Sequence, residues 1–427
     1  MEPLRFPVTG QDLFNYLAGY FASDHQLQVV LTFNNTLNET LMAKAVRATL
    51  ELEPVLGCCF VEDQPTSYWQ RREDLDTINL CSVVQTDDVE AAIQDFLTTP
   101  LNSLKDPQVQ VRIIRSNYDV LCIKMDHSST DGGGLKEYVQ LLASVYSECC
   151  ADPEYWPSFR QEARRDQGQI WEPLQITDPA SVWDRTRNVA PTWSFPSQPG
   201  VDSNPAHVIR RIADSHYSRL VAFAREKGGT VNDLLLTAFY RAFFTITGVQ
   251  TSDPMAVQVS VDLRRYLPTR HADAISNLSG AEIMQLAYQP EEPFEGTLTR
   301  VAHQMNQHKN NQPGVQIGIV MELLAGLGYS GFYNWYQDAR RQALESNCFS
   351  PLLSNVGILH DQPITFGPLA AVDGYFVSPC FWAPAFMTGA SSYNGVLTLT
   401  VGFYQSTVDR ATVETFLDQM VQELTQL

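Results

Sequence analysis

The sequence predicts an α/β protein of two lobes with mixed sheets, and three observations carry that reading. Short apolar runs of strand length alternate along the chain with stretches of helical period, the pattern of layered α/β architectures. At 427 residues the chain can bury two substantial cores. Between residues 151 and 205 the character changes: eight of the 24 prolines and four of the seven tryptophans (Trp156, Trp171, Trp183, Trp193) fall there, and neither periodicity persists. A loop of that length within one compact domain points to a linker or a functional segment. The expected organisation is a first lobe over 1–150, a Trp- and Pro-rich connection over 151–205 packed on a surface, and a second lobe over 206–427.

In the first lobe, the apolar cluster from Leu13 to Phe21 precedes a strand over 27–33. Thr36 and Glu39 match a helix-capping box. Leu41, Ala45, Ala48 and Leu52 continue that helix on one face, and Pro54 ends it because the residue before a proline avoids helix. Short strands are expected at 66–70 and 80–84 and a helix over 89–97. The runs 109–114 and 120–125 read as a hairpin. Its second strand hands over to Asp126-His127-Ser128-Ser129-Thr130-Asp131-Gly132-Gly133-Gly134, after which Leu135, Tyr138, Val139, Leu142 and Val145 recur at helical spacing. A histidine and an aspartate therefore sit where a buried strand meets a helix, a place where rigid scaffolds present reactive groups. The three glycines allow a sharp turn and close backbone approach to a ligand.

The second lobe opens with a strand over 207–212 and a helix that starts at Asp214 or Ser215 and stops at Gly228-Gly229. Thr230 and Asp233 match another capping box, and Leu234, Leu235, Ala238, Phe239, Ala242 and Phe243 form a buried helix ending at Gly248. A strand over 256–261 runs into Asp262-Leu263-Arg264-Arg265, and Asn277-Leu278-Ser279-Gly280 leads into a strand over 281–287. Helices are expected over 297–309 and within 321–344, and strands over 351–358 and 395–404. Val413, Phe416, Leu417, Met420, Val421 and Leu424 mark a last amphipathic helix.

Composition excludes several classes. A formal charge of −19 and a pI near 4.8 argue against nucleic acid as a partner, since phosphate binding needs a basic face. No apolar run reaches the roughly 18 residues of a membrane span, and the N-terminal residues lack the pattern of a secretory signal, so the expectation is a cytoplasmic protein. The eight cysteines form no C-x-x-C pair and read as reduced structural thiols, with no metal site expected. Gly326 to Gly331 matches G-x-G-x-x-G, but no clear strand precedes it, so nucleotide binding is not expected. His303 and His308 lie on a polar helix with no third ligand in sight and read as a surface face.

The segment His127-Ser128-Ser129-Thr130-Asp131-Gly132 resembles the H-x-x-x-D-G signature of the chloramphenicol acetyltransferase-like superfamily. That group includes free-standing acyltransferases and the condensation domains of nonribosomal peptide synthetases. Three other stretches are similar to the same family in the same order. They are the buried helix opening at Thr230-Val231-Asn232-Asp233, the Asp262-Leu263-Arg264 segment followed by Asn277-x-x-Gly280, and Ser354-Asn355-x-Gly357. The resemblance implies two chloramphenicol acetyltransferase-like lobes with an inter-lobe tunnel that holds the histidine.

The resemblance also implies an activity: transfer of an acyl group from a thioester to an alcohol or amine, without a covalent acyl-enzyme. His127 is the implied general base, a role that suits imidazole because it titrates near neutral pH. Asp131 is implied to turn away from substrate and to pair with Arg264, or else Arg265, fixing the turn together with Gly132. Gly133, Ser354 and Asn355 are the implied substrate-side residues. The donor would be acyl-coenzyme A or the phosphopantetheine of an acyl or peptidyl carrier protein, with no metal and no bound cofactor. Asp126 departs from condensation domains, which carry a second histidine there. This favours a free-standing enzyme over the alternatives: an amide-forming condensation enzyme of secondary metabolism, or a non-catalytic carrier-binding member. Without that context the motif is a polar turn, Arg264 and Arg265 are solvated, and Ser354-Asn355 belongs to a core strand.

Overall fold

The computed structural model describes residues 3–63, 66–184 and 189–427. Within these, three sheets organise the chain. A six-stranded sheet runs in the order Thr365–Phe366, Leu369–Val377, Gln26–Phe33, Asp119–Asp126, Val109–Arg115, Cys81–Gln85. All neighbours are antiparallel except the last pair, which is parallel. A seven-stranded sheet begins Ser279–Leu286, Met255–Asp262, Leu352–Ile358, Met387–Tyr393, Val396–Tyr404, and both Cys380–Phe381 and Pro205–Ile212 pair with its Val396–Tyr404 strand. A small third sheet joins Arg5–Pro7, Tyr68–Arg71 and Cys58–Val61. The molecule is thus mixed α/β, with mixed sheets.

The strand Asp119–Asp126 is buried along its whole length, which is why it reads as a continuous apolar run. Leu121, Ile123 and Met125 face the helices Glu39–Leu52 and Gly132–Ala151. Val120 and Cys122 face the helix Val89–Thr98. Lys124 interrupts the apolar run 120–125. Its ammonium donates to the carbonyls of Phe96 and Thr99, at the end of that helix where cations are favoured, and burial pulls it down to about 8.

The sequence reading differs from the structure in several places. The helix over 39–52 is capped by Asn38, whose side chain accepts from Leu41 N at 3.0 Å, so the Thr36/Glu39 box is not formed. Asparagine one residue before the helix supplies the same acceptor as threonine. The helix expected within 321–344 is two helices, Val315–Ala325 and Gly328–Ser346, and Gly326 to Gly331 lies at their junction. The strand Leu369–Val377 pairs with Gln26–Phe33, so residues 206–427 are not confined to one sheet.

The described residues of the connection pack on the molecule; residues 185–188 lie outside the described residues. Trp193 is buried and its indole N–H donates to Ala256 O at 2.7 Å. Trp156 is exposed and lies under the Arg47 guanidinium at 5.3 Å. All eight cysteines are free, and no described helix is long and apolar enough to cross a membrane.

Candidate active site

The turn after the motif strand is built by Asp126. Its carboxylate accepts from the hydroxyls of Ser103 and Ser128 and from Ser128 N, while its carbonyl accepts from Ser129 N at 3.0 Å and Ser129 Oγ at 2.8 Å. The chain therefore reverses tightly beneath His127. Asp131 then caps the helix Gly132–Ala151, accepting from Gly134 N at 2.8 Å.

Asp131 is also the hub that ties the two halves of the chain together. Arg264 Nη1 donates to both of its oxygens, at 2.9 and 3.0 Å, and Leu278 N donates at 2.7 Å. Arg264 continues to Glu137, Asp262 and the carbonyl of Ser276. Both Asp131 and Arg264 are buried. Burial alone would raise the Asp131 carboxyl, but Arg264 and the two backbone N–H groups hold it below its ordinary value. Arg265 makes no hydrogen bond to Asp131; its guanidinium lies near the Tyr266 ring.

His127 is half-buried. Its Nδ1 is buried and has no hydrogen-bond partner on another described residue. Burial lowers the imidazole below its ordinary pKa, against the opposing influence of its own backbone carbonyl, Asp131, Asp126 and the Asn277 side chain. The His25 ring lies against it, with centroids 4.5 Å apart and planes at 17°. Behind this pair is a buried polar layer. Asp12 accepts from Arg165 at 3.1 Å, Asn277 at 3.0 Å and Trp69 Nε1 at 3.2 Å. Arg165 also donates to Ser129 O at 2.9 Å. Sequence reasoning gave no site role to His25, Asn15, Asp12, Arg165 or Asn277. The one available signal was Thr9-x-x-Asp12, a capping-box pattern that is formed at the helix Gly10–Phe21.

The three glycines do not make a left-handed turn; they form the first turn of the helix, and what approaches them is protein. A Cβ on Gly133 would stand 2.5 Å from Arg264 Nη1, and one on Gly134 would overlap Thr130 Oγ1. A Cβ on Gly132 would meet the Val356 side chain at 2.8 Å. Val356 belongs to the strand Leu352–Ile358, which pairs with Met255–Asp262 only at Leu352 and Leu353 and then diverges from it. On that strand Ser354 accepts from Ser260 Oγ at 3.1 Å, and Asn355 donates to Asn232 Oδ1 at 3.3 Å. The motif helix and this strand are therefore neighbours, but Ser354 and Asn355 make no hydrogen bond to His127 or Asp131.

Among the described residues no group of three or more His, Cys, Asp or Glu side chains is placed to hold a metal ion. His303 is bonded to Gln307 at 3.0 Å. His308 differs from the surface reading: it is half-buried, with Nδ1 2.7 Å from Glu282 Oε2. Its helix closes over the sheet edge at Ser279–Leu286, which the polar sequence of the helix does not reveal.

A family model described as Condensation domain matches residues 20–312. No curated protein matches the chain. Among solved structures it is similar to a trichothecene 15-O-acetyltransferase from Fusarium sporotrichioides, at 13% identity over 99% of this chain and 94% of that one, with a TM-score of 0.73. It is also similar to polyketide synthase associated protein 5 from Mycobacterium tuberculosis, at 15% identity over 98% and 99%, TM-score 0.68. A third likeness is to the first condensation domain of the CDA synthetase, at 16% identity over 99% and 95%, TM-score 0.69. At these identities the likeness carries the fold.

Proposed function

Because the chain belongs to the condensation-domain family, whose model spans residues 20–312, we propose that it is an acyltransferase working on thioesters. His127 takes the proton of an acceptor hydroxyl or amine as that group attacks the thioester carbonyl. The tetrahedral oxyanion collapses, the C–S bond breaks, and the departing thiolate receives the proton from the imidazolium. Donor and acceptor meet in one ternary complex entered between the lobes, and no acyl-enzyme forms. A thioester is already activated, so the reaction needs neither ATP nor a metal. The donor is acyl-coenzyme A or the phosphopantetheine arm of a carrier protein.

One observation carries this reading. A half-buried imidazole whose buried Nδ1 has no hydrogen-bond partner on another described residue stands at the end of a rigid strand, one turn ahead of a helix N-terminus. Burial keeps the ring neutral and therefore able to accept a proton. The dipole of that helix favours negative charge near its start. Asp131 holds the turn through Arg264, with Gly133 packed against that guanidinium and Gly132 against Val356, and does not touch substrate, while Ser354 and Asn355 line the donor side.

A second reading is amide formation of the peptide-synthetase type, favoured by the family model itself. Asp126 weighs against it: the residue stands where condensation domains carry another histidine, and both its oxygens are occupied by Ser103 and Ser128. A panel of acyl-coenzyme A and acyl-carrier donors against alcohol and amine acceptors, read by product mass, tests the proposal. Ester or amide product is expected, with the protein's own mass unchanged throughout turnover. An acylated protein that decays into product would overturn the ternary mechanism. Tight carrier binding with no product would favour a non-catalytic member.

A further inference from the structure

We propose that His25 is a positioning residue for His127: a neutral imidazole, locked in its Nε2–H form by a one-way chain of hydrogen bonds, on whose face the His127 ring rests. The inference deepens the reading of His127 as a base and rests on it for its catalytic meaning. The contact has two parts. The rings are stacked, 4.5 Å apart and 17° from parallel, and His127 N donates to the carbonyl of His25 at 3.0 Å. His25 holds this place with φ at 53°, in the left-handed region that residues other than glycine adopt uncommonly.

The direction of the chain follows from one end. Asn277 Nδ2 lies 3.0 Å from Asp12 Oδ1 and 2.9 Å from Ser128 O. A carboxylate and a carbonyl only accept, so that end of the Asn277 amide is the NH2. Its Oδ1 then accepts from Asn15 Nδ2 at 3.0 Å. Asn15 consequently turns Oδ1 towards His25 Nε2, 3.0 Å away, and this contact requires a proton on Nε2. The neutral ring has then used its one N–H. Nδ1, 2.7 Å from Ser23 Oγ, accepts the Ser23 hydroxyl proton, and Ser23 Oγ accepts from His25 N at 2.9 Å. Every donor in the chain meets an acceptor, and each member is buried.

The charged groups around the two rings are engaged elsewhere. Asp12 is paired with Arg165, and Asp131 with Arg264. Asp126 is held by Ser103 and Ser128, and Asp24 by the N–H groups of Gln26 and Cys380. None of them hydrogen-bonds to His25, whose burial and whose neighbour His127 disfavour its charged form. When His127 takes a proton, the imidazolium lies flat on the electron-rich face of a neutral ring and is stabilised as a cation over an aromatic. A protonated His25 would repel it instead.

The test is the ring protonation state of the full chain labelled with 15N-histidine. Resonances of the eight histidines are assigned by substituting each in turn, or by elimination for any variant that does not fold. His25 is expected to remain the neutral Nε2–H form from about pH 5 to pH 9, outside which free histidine (pKa near 6.5) no longer changes charge. His25→Phe keeps an aromatic face and His25→Leu removes it. The His127 pKa is expected to be lower by about one unit in the leucine variant than in the phenylalanine variant.

A titrating His25, an Nδ1–H form, or equal His127 pKa values in the two variants would overturn the proposal. If neither variant folds, the form seen in the native chain decides by itself. Undiminished acyl transfer by His127→Ala would sink the base assignment while leaving these spectra as they are, so the two failures are distinguishable.

Discussion

At His127 burial is the dominant influence, and it sets a pH dependence. The ring's pKa lies below its ordinary 6.5 despite the pull of Asp131 and Asp126, so the base form is already present at neutral pH. The kcat/KM for transfer is expected to be level around pH 7 and to fall only as pH drops through a value below 6.5. An acid limb centred at or above pH 7 would contradict the assignment. For Asp131 the issue is what its loss leaves behind. Asp131→Ala leaves the buried Arg264 with only Glu137 and Asp262 as carboxylate partners and strips Gly134 N and Leu278 N of their acceptor; a buried donor left unsatisfied costs about 1–3 kcal/mol, and chemical denaturation measures the loss. A loss under about 1 kcal/mol would mean that the pair is not the tie described above. His127 and Asp131 are legible in the sequence because they are near neighbours at a strand-to-helix handover. Arg264 and Arg265 remain alternatives there, because only the 3-10 turn Leu263–Tyr266 decides which guanidinium faces inward. His25, Asn15, Asp12 and Arg165 are illegible for a plain reason. A buried polar residue looks like a surface one until its partner is known, and the partner of Asn15 is 262 residues away.

At the scale of the element, the start of the motif helix is constrained by what packs on it. Gly134→Ala drives a methyl group into Thr130, with Ser276 O 3.1 Å away and Arg264 Nη2 at 3.2 Å. Gly132→Ala meets only the Val356 side chain, which can rotate. Overpacking of this kind costs about 1–3 kcal/mol, so thermal melts should rank Gly134→Ala well below Gly132→Ala. Equal melting temperatures would show that the first turn is looser than its geometry implies. The sequence marks these glycines but not their purpose, because a glycine needed for close packing and one needed for a left-handed turn look alike. The strand Met387–Tyr393 is hidden for a related reason. All seven residues are buried, yet Thr388, Gly389, Ala390, Ser391 and Ser392 are small or polar and give no apolar alternation. The strand Val396–Tyr404, by contrast, carries Leu397, Leu399, Val401 and Phe403 at every second position.

Across the whole molecule, two sets of buried groups oppose each other in their response to pH. His25, His127 and His207 all lie below the ordinary histidine value, His207 at about 4. The unfolded chain binds protons that these native rings refuse, so they make stability rise with pH up to about 6.5. Burial raises Asp24, Glu53 and Glu322 to about 7. There the native chain holds protons that the unfolded chain has lost, so stability falls as pH climbs from about 4 to 7. The two sets therefore act in opposite directions between about pH 4.5 and 6.5. Glu322→Gln removes one falling slope, and the denaturation midpoint of the variant should rise more with pH across this range than that of the native chain; an unchanged profile would show that Glu322 titrates normally. The two-lobe α/β class was legible from alternating periodicities, but the return of Leu369–Val377 to the sheet of Gln26–Phe33 was not. Nothing local in a strand names a partner that lies hundreds of residues earlier. The most direct test of the central claim compares acyl transfer by the native chain with that of His127→Ala, folded to the same melting temperature, using a thioester donor that the native chain accepts. A loss of about 10²- to 10⁴-fold is expected for removal of a general base; equal rates would contradict the account.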